Sequence, residues 1–176
     1  MIGYNRSSRF AADLKSKHWY EVLLEPGIRI GRTDPKLDPK GALTLQLMKS
    51  AEAFYKSPDL SQRVLGAPDN SAQLLSEETL ISRLQSGQLD VGFFYSTEAV
   101  DAKIPTIDLP APITPKAVYT ITILRGAHNA TGAEQFVSFL LGDEGRRVLM
   151  EHGLYLQNFE ISGAQDAVPL AIRSLP

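Results

Sequence analysis

A chain of 176 residues, 43% of them hydrophobic, is long enough for one ordinary domain or two small lobes and carries enough apolar material for a real core. Eighteen basic and twenty acidic residues spread along the sequence leave a formal charge of −2, so the electrostatic footprint of a nucleic-acid or anionic-membrane binder is missing. Cysteine is absent, which excludes disulfides, thiolate nucleophiles and cysteine-based metal sites.

No apolar run approaches the length of a bilayer span, and Met1-Ile2-Gly3-Tyr4-Asn5-Arg6 lacks the charged start and apolar stretch of a secretory signal. His18, His128 and His152 stand far apart and make no metal-ligand spacing. Short β-rich runs alternate with helical patterns, the signature of an α/β domain with a largely parallel sheet.

In chain order, a strand is predicted over 2–5, a short amphipathic helix over 9–15, and a second helix over 18–24 that Pro26 and Gly27 stop. The alternation of 28–33 predicts a strand running into the turn Asp34-Pro35-Lys36-Leu37-Asp38-Pro39-Lys40-Gly41. The period then becomes helical, with Leu43, Leu47, Ala51 and Phe54 on one face. A short helix is predicted near 60–65. Ser76 is placed to cap another, with Glu77 and Glu78 in its first turn, ending at Gly87. The run Val91-Gly92-Phe93-Phe94-Tyr95 reads as a strand buried on both faces, followed by a helical turn from Ser96. A proline-rich link over 104–115 leads to an expected strand over 118–124, then to helices over 133–141 and 144–151. The tail from Leu154 is expected to form turns and at most one short helix.

The turn at 32–41 carries the most functional information. It lies at the end of a predicted strand, where open α/β sheets place their ligands, and the next helix aims its free N–H groups at that spot, a geometry that favours anions. The same residues also suit a plain cap: Asp38 is a good N-cap and Pro39 a favoured first helical residue. Glu77 and Tyr95 lie at element ends that can face the same cleft. Each also has an ordinary structural reading, as first-turn charge and as core aromatic. The G-x-S-x-G, H-E-x-x-H, phosphate-loop and dinucleotide-loop patterns are all missing, so no enzymatic template fits and no cofactor is implied.

Three segments taken together resemble the molybdate/tungstate-binding proteins of ABC importers, which have the type II periplasmic binding fold. They are Arg32-Thr33-Asp34-Pro35-Lys36-Leu37-Asp38-Pro39-Lys40-Gly41, the stretch from Leu84 through Asp90-Val91-Gly92-Phe93-Phe94-Tyr95-Ser96, and Gly126-Ala127-His128-Asn129-Ala130-Thr131 leading to His152-Gly153-Leu154. The resemblance covers about residues 1 to 160, agrees in order and spacing, and is most specific in the first segment.

What it implies is an α/β fold with a Rossmann-like mixed sheet flanked by helices. Residues 1–117 would form the second lobe, and 118–176 a return strand and C-terminal helices belonging to the first. The ligand would be a tetrahedral oxyanion, tungstate or molybdate, held in an inter-lobe cleft by Asp38, Lys40, Gly41, Glu77 and Tyr95. Asp38 and Glu77 would supply oxygens to the molybdenum or tungsten itself. The implied partner is an ABC transporter membrane permease and the implied location periplasmic or extracytoplasmic. Family members carry a preceding first-lobe segment with serine-bearing turns, which this chain is expected to lack. Weak oxyanion binding by the chain alone is then expected, along with a homodimer through Phe136, Phe139, Leu140, Val148 and Leu149. The alternatives are a stand-alone ligand-sensing module of the same fold and, behind it, an enzyme acting on a small acidic substrate.

Overall fold

The computed structural model describes residues 1–156 and 159–174, which divide into two compact units, Met1–Ala117 and Val118–Pro176. The first is built on a four-stranded sheet of β1 (Ile2–Tyr4), β2 (Ile30–Gly31), β3 (Val91–Phe93) and β4 (Thr106–Ile107), in the order β2-β3-β1-β4. Only the β2–β3 pairing is parallel. The pairings of β1 with β3 and with β4 are antiparallel, so the sheet is mixed, as the resemblance implies, and not largely parallel as the alternation of strand and helix patterns suggests. The cause is a single strand: β2, β3 and β4 run the same way, and the reversed β1 inserts between β3 and β4.

The two faces of this sheet carry opposite side chains. Ile2, Tyr4, Ile30, Val91 and Phe93 point into one core, where they meet α1 (Ala11–Ser16), α2 (Trp19–Val22), α3 (Pro39–Phe54) and α4 (Leu60–Leu65) through residues such as Leu14, Trp19, Leu47, Met48, Leu60 and Leu65. The alternate positions of β1, β2 and β3 are glycine, and they stand in register: Gly31 pairs with Gly92, and Gly92 with Gly3, which pairs in turn with Thr106 of the edge strand. A Cβ on Gly31 would lie 2.5 Å from Leu89 Cδ1, one on Gly92 2.7 Å from Phe94 Cε2, and one on Gly3 2.6 Å from Ile104 Cγ2. That bare row lets a second core settle directly on the backbone. It comprises Leu80 and Leu84 of α5 (Glu77–Gln85), Ala99 of α6 (Ser96–Asp101), Leu89, Phe94 and Ile104. The strand expected to be buried on both faces is so buried: Val91 and Phe93 enter the first core, and the bare face at Gly92 lies under the second.

Two local expectations change. The buried stripe of α3 is Lys40, Gly41, Thr44, Leu47, Met48 and Ala51, while Phe54 is 47% exposed. The helix ends there, and Tyr55 takes the inner place instead, accepting the indole N–H of Trp19 at 3.3 Å and packing on the Tyr20 ring. The proline-rich link over 104–115 is part of the fold: it supplies the edge strand β4 and a 3-10 turn, Ala111–Ile113, whose Ile113 is buried in the first core. Proline is compatible with an edge strand because one side of its ladder needs no donors.

Glu52 ties α3 to α4. One oxygen accepts the Ser61 N–H at 2.9 Å and the other the Lys49 ammonium at 2.9 Å. The Lys49 hydrogen bond first, and the Ser61 bonds after it, hold the carboxyl down at about 2. A depressed carboxyl contributes stability that is complete above the ordinary value of 4.5 and is lost as pH falls through the folded value. Glu52→Gln is therefore expected to cost about 1–2 kcal/mol at pH 7. The gap to the parent protein should narrow below pH 4, as read by urea unfolding at both pH values.

The second unit consists of α7 (Ala130–Leu141), α8 (Asp143–Glu151), a 3-10 turn (Gln165–Ala167) and α9 (Leu170–Arg173). Its core joins Val137 and Leu141 of α7 to Ile172 of α9, with Ile123, Leu156, Phe159 and Val168 packed around them. The joint between α7 and α8 is tight because Gly145 sits against the carbonyls of Phe139 and Leu140, where any Cβ would collide. The strand expected over 118–124 is not formed. Those residues have no ladder partner among the described residues, and Val118, Tyr119, Ile121 and Leu124 are exposed. Phe136, Phe139 and Val148 are exposed on α7 and α8, while Leu140 and Leu149 are half-buried. Among the described residues no helix is long and apolar enough to cross a membrane.

Candidate functional site

The carboxyl ends of the parallel pair β2–β3 each lead into a helix start. From β2 the chain passes through Arg32 and Thr33 into a turn in which Asp34 Oδ1 accepts the Lys36 N–H at 2.8 Å and the Asp34 carbonyl accepts the Asp38 N–H at 2.9 Å. Asp38 then caps α3, its Oδ1 accepting the Lys40 N–H at 2.7 Å, with Pro39 as the first helical residue. Gly41 is fixed by crowding. A Cβ there would lie 2.6 Å from both Pro35 N and the Thr33 carbonyl oxygen, all of it backbone that cannot turn aside.

The fully buried Arg32 links this turn to the next helix. Its guanidinium donates to the carbonyls of Ala67 at 3.1 Å and Pro68 at 2.9 Å and to Gln73 Oε1 at 3.3 Å, and its backbone bridges to Leu74. The loop it pins ends at Ser76, whose hydroxyl accepts the Thr79 N–H at 3.4 Å and so starts α5 with Glu77 as its first residue. From β3 the chain passes through Phe94 to Tyr95, the residue before α6.

These three helix starts meet at Lys40. Its side chain is only 3% exposed, and its ammonium lies 2.5 Å from Glu98 Oε1, 3.8 Å from Glu77 Oε2 and 5.5 Å from the centre of the Tyr95 ring. Glu98, 9% exposed, places its other oxygen on the Tyr95 N–H at 2.7 Å. Glu77 remains half exposed. Its carboxyl is pushed above the ordinary carboxylate range, first by the hydrogen bond it shares with Glu98 and then by burial, with the negative charges of Glu98 and Asp38 adding to that and Lys40 opposing it.

All five residues singled out in the sequence, Asp38, Lys40, Gly41, Glu77 and Tyr95, therefore stand at one corner. Sequence reasoning missed Glu98. The signal was present in its spacing: a glutamate three residues after the cap position is the returning half of a capping box, obscured here because tyrosine replaces the usual serine or threonine. Arg32 was read only as part of a motif, and its burial under a loop has no local sequence mark.

Chemically, the corner sets two carboxylates, Glu77 and Glu98, against one buried ammonium, with that of Asp38 on the Lys40 backbone N–H and the helix starts gathered at the same place. Among the described residues no group of three or more histidines, aspartates and glutamates is arranged to hold a metal ion. A cavity of about 470 Å³ opens at the opposite ends of the strands, beside Ser8, Arg9, Arg29 and Asp90. The Asp90 carboxylate there is taken up by Ser8 and Arg29, whereas the Lys40 corner gathers three helix starts and keeps Glu77 half exposed, which makes it the better candidate.

A mixed α/β sheet with helix starts gathered at the carboxyl ends of its parallel strands has the design of a ligand-binding module. Residues 6–155 match the model of the bacterial extracellular solute-binding proteins, and the chain belongs to that family. It is 29% identical to an uncharacterized solute-binding protein of Petrotoga mobilis over 87% of this chain and 57% of that one. Two molybdate/tungstate-binding proteins WtpA are also similar. That of Thermococcus kodakarensis is 28% identical, with 86% and 56% of the two chains covered, and that of Pyrococcus abyssi 26%, with 86% and 58% covered. The chain thus spans just over half the length of these curated relatives.

Proposed function

We propose that the chain is part of the substrate-binding component of an ABC importer and captures tungstate or molybdate at the Lys40 corner, without catalysis. The observation that carries this is the meeting of Asp38, Lys40, Glu77 and Tyr95 at the starts of α3, α5 and α6. The names of the Thermococcus and Pyrococcus relatives support the ligand class. Asp38 and Glu77 act as oxygen ligands to the metal centre of the oxyanion, which lies against the start of α3 at Lys40 and Gly41, and Tyr95 closes one side. Hard Mo(VI) and W(VI) accept carboxylate oxygens, whereas sulfur in sulfate cannot enlarge its coordination. Residues 1–117 serve as the second lobe and 118–176 as the part returning to the first, with the remaining contacts made across the inter-lobe cleft. The protein works outside the cytoplasm, delivers to a membrane permease, and the apolar surface of α7 and α8 pairs two copies when that surface has no other cover.

The test is titration of the chain with tungstate, molybdate and sulfate, followed by amide shifts in nitrogen-edited NMR so that weak binding is still read. Tungstate and molybdate are expected to shift the amides of Lys40 and Gly41 at concentrations at least about tenfold below sulfate. Glu77→Gln should lose that binding by about tenfold or more and yet unfold at the same or a higher temperature. A raised carboxyl means the folded state holds its proton more tightly, so ionising Glu77 as pH rises costs stability that the glutamine spares. No shift at this corner with either metal oxyanion would remove the proposal.

A further inference from the structure

At a corner read as taking a dianion, the one buried ammonium is already engaged. Lys40 Nζ lies 2.5 Å from Glu98 Oε1, and Glu98 is itself fixed by the Tyr95 N–H at 2.7 Å, so neither partner can turn away without breaking a hydrogen bond. Glu98 stands outside the five residues proposed to hold the ligand. Its side chain is nearly buried, whereas that of Glu77, on the other side of the same ammonium, is half exposed.

We propose that Glu98 is the specificity-determining residue of this corner: by holding the Lys40 ammonium it denies that cation to anions that bind through charge alone, and reserves the place beside Glu77 and Asp38 for an oxyanion whose central atom takes carboxylate oxygens as ligands. This rests on the oxyanion reading of the same corner. With Asp38, Glu77 and Glu98 around a single lysine, a sulfate or phosphate ion meets an excess of negative charge and gains no bond that repays it. A molybdenum(VI) or tungsten(VI) centre turns two of those carboxylates from repelling neighbours into ligands. Remove the charge at 98 and the lysine becomes an ordinary anion anchor.

Two measurements on the full chain and its Glu98→Gln variant test this. Sulfate titrated against nitrogen-edited NMR spectra should bind the variant at least tenfold more tightly than the parent, while tungstate changes by less than threefold. In the absence of any ligand, labelling with an amine-specific acylating reagent read by peptide mass spectrometry should modify Lys40 at least tenfold faster in the variant. A Lys40–Glu98 pair that serves only to hold α3 to α6 would leave the sulfate-to-tungstate ratio unmoved. That result, or equal labelling rates, overturns the proposal. Should Glu98→Gln fail to fold, Glu98→Asp keeps the charge but draws it back by one methylene; it should show smaller changes in the same directions, and parent-like values would again overturn the proposal. Absence of oxyanion binding by every form defeats the ligand reading instead, and the labelling rates still decide whether Glu98 withholds Lys40.

Discussion

Asp90→Ala is expected to cost the Met1–Ala117 unit about 3 kcal/mol, a large share of the 5–15 kcal/mol by which domains of this size are stable. The carboxylate is 3% exposed and accepts four hydrogen bonds: Ser8 Oγ at 2.7 Å, and the backbone N–H, Nε and Nη2 of Arg29, each at 2.9 Å. Its own backbone accepts from Asn5 and donates to Arg29, so this one residue stitches the start of β2, the start of β3 and the end of β1. Removing the side chain leaves the Ser8 hydroxyl and a backbone donor without their acceptor, which is why the loss exceeds that of a surface pair. Arg29→Ala should cost less, because the arginine side chain is half exposed and water already serves part of it. Burial works against the charge on Asp90, and the hydrogen bonds from Arg29 and Ser8 overcome it and hold the carboxyl below its ordinary 3.8. The tie is thus complete above pH 3.8 and fades as the solution is acidified further. Urea unfolding at pH 7 and pH 3 checks both statements. A variant that unfolds at the parental urea concentration at pH 7 would mean that Asp90 is not the tie described.

Lys40→Met is the second large effect, and it has a different pH signature. The substitution keeps most of the buried stem and deletes the charge, leaving Glu98 nearly buried without the ammonium it pairs with. Such a carboxyl takes up a proton, so its folded value rises above the unfolded one. A raised carboxyl contributes stability that is present at low pH and is lost as pH climbs through the folded value. The variant should therefore lose about 3 kcal/mol at pH 8 and distinctly less at pH 5, opposite to the trend expected around Glu52 and Asp90. Tungstate binding should fall at least about tenfold at pH 8, because three carboxylates then face the dianion unbalanced, and should recover in part at pH 5. Equal losses at the two pH values would show that Glu98 does not inherit the problem when Lys40 is removed.

Much of this corner was legible before any coordinates. The Asp-Pro steps, the cap at Asp38, the crowded Gly41 and the cap at Ser76 are local grammar, written within four or five residues of where they act. Glu98, by contrast, matters through what lies across the sheet from it, and the burial of the Lys40 side chain has no local mark, because it comes from the starts of α5 and α6 brought beside it. The same division holds for the fold. Helix positions followed from period and caps, while the reversed direction of β1 and the use of Thr106–Ile107 as an edge strand depend on pairing between distant segments. The misread residues 118–124 show the converse. Alternation of Val118, Thr120 and Thr122 with Tyr119, Ile121 and Ile123 is a strand pattern, and a strand pattern without a neighbouring ladder stays unpaired.

The row of Gly31, Gly92 and Gly3 sets the thickness of the layer beneath α5. With only hydrogen at those three positions, Leu80 and Leu89 rest on the backbone at Gly31 itself, and the helix carrying Glu77 is seated close against the sheet. A single methyl group added at Gly31 would act as a shim. It would lift Leu80 and tilt the start of α5, and so change the 3.8 Å separation between Glu77 and Lys40 without touching either residue. The tolerance of the anion corner is in this sense machined into the flat side of the sheet, and natural variation at those three glycines would retune the corner from a distance.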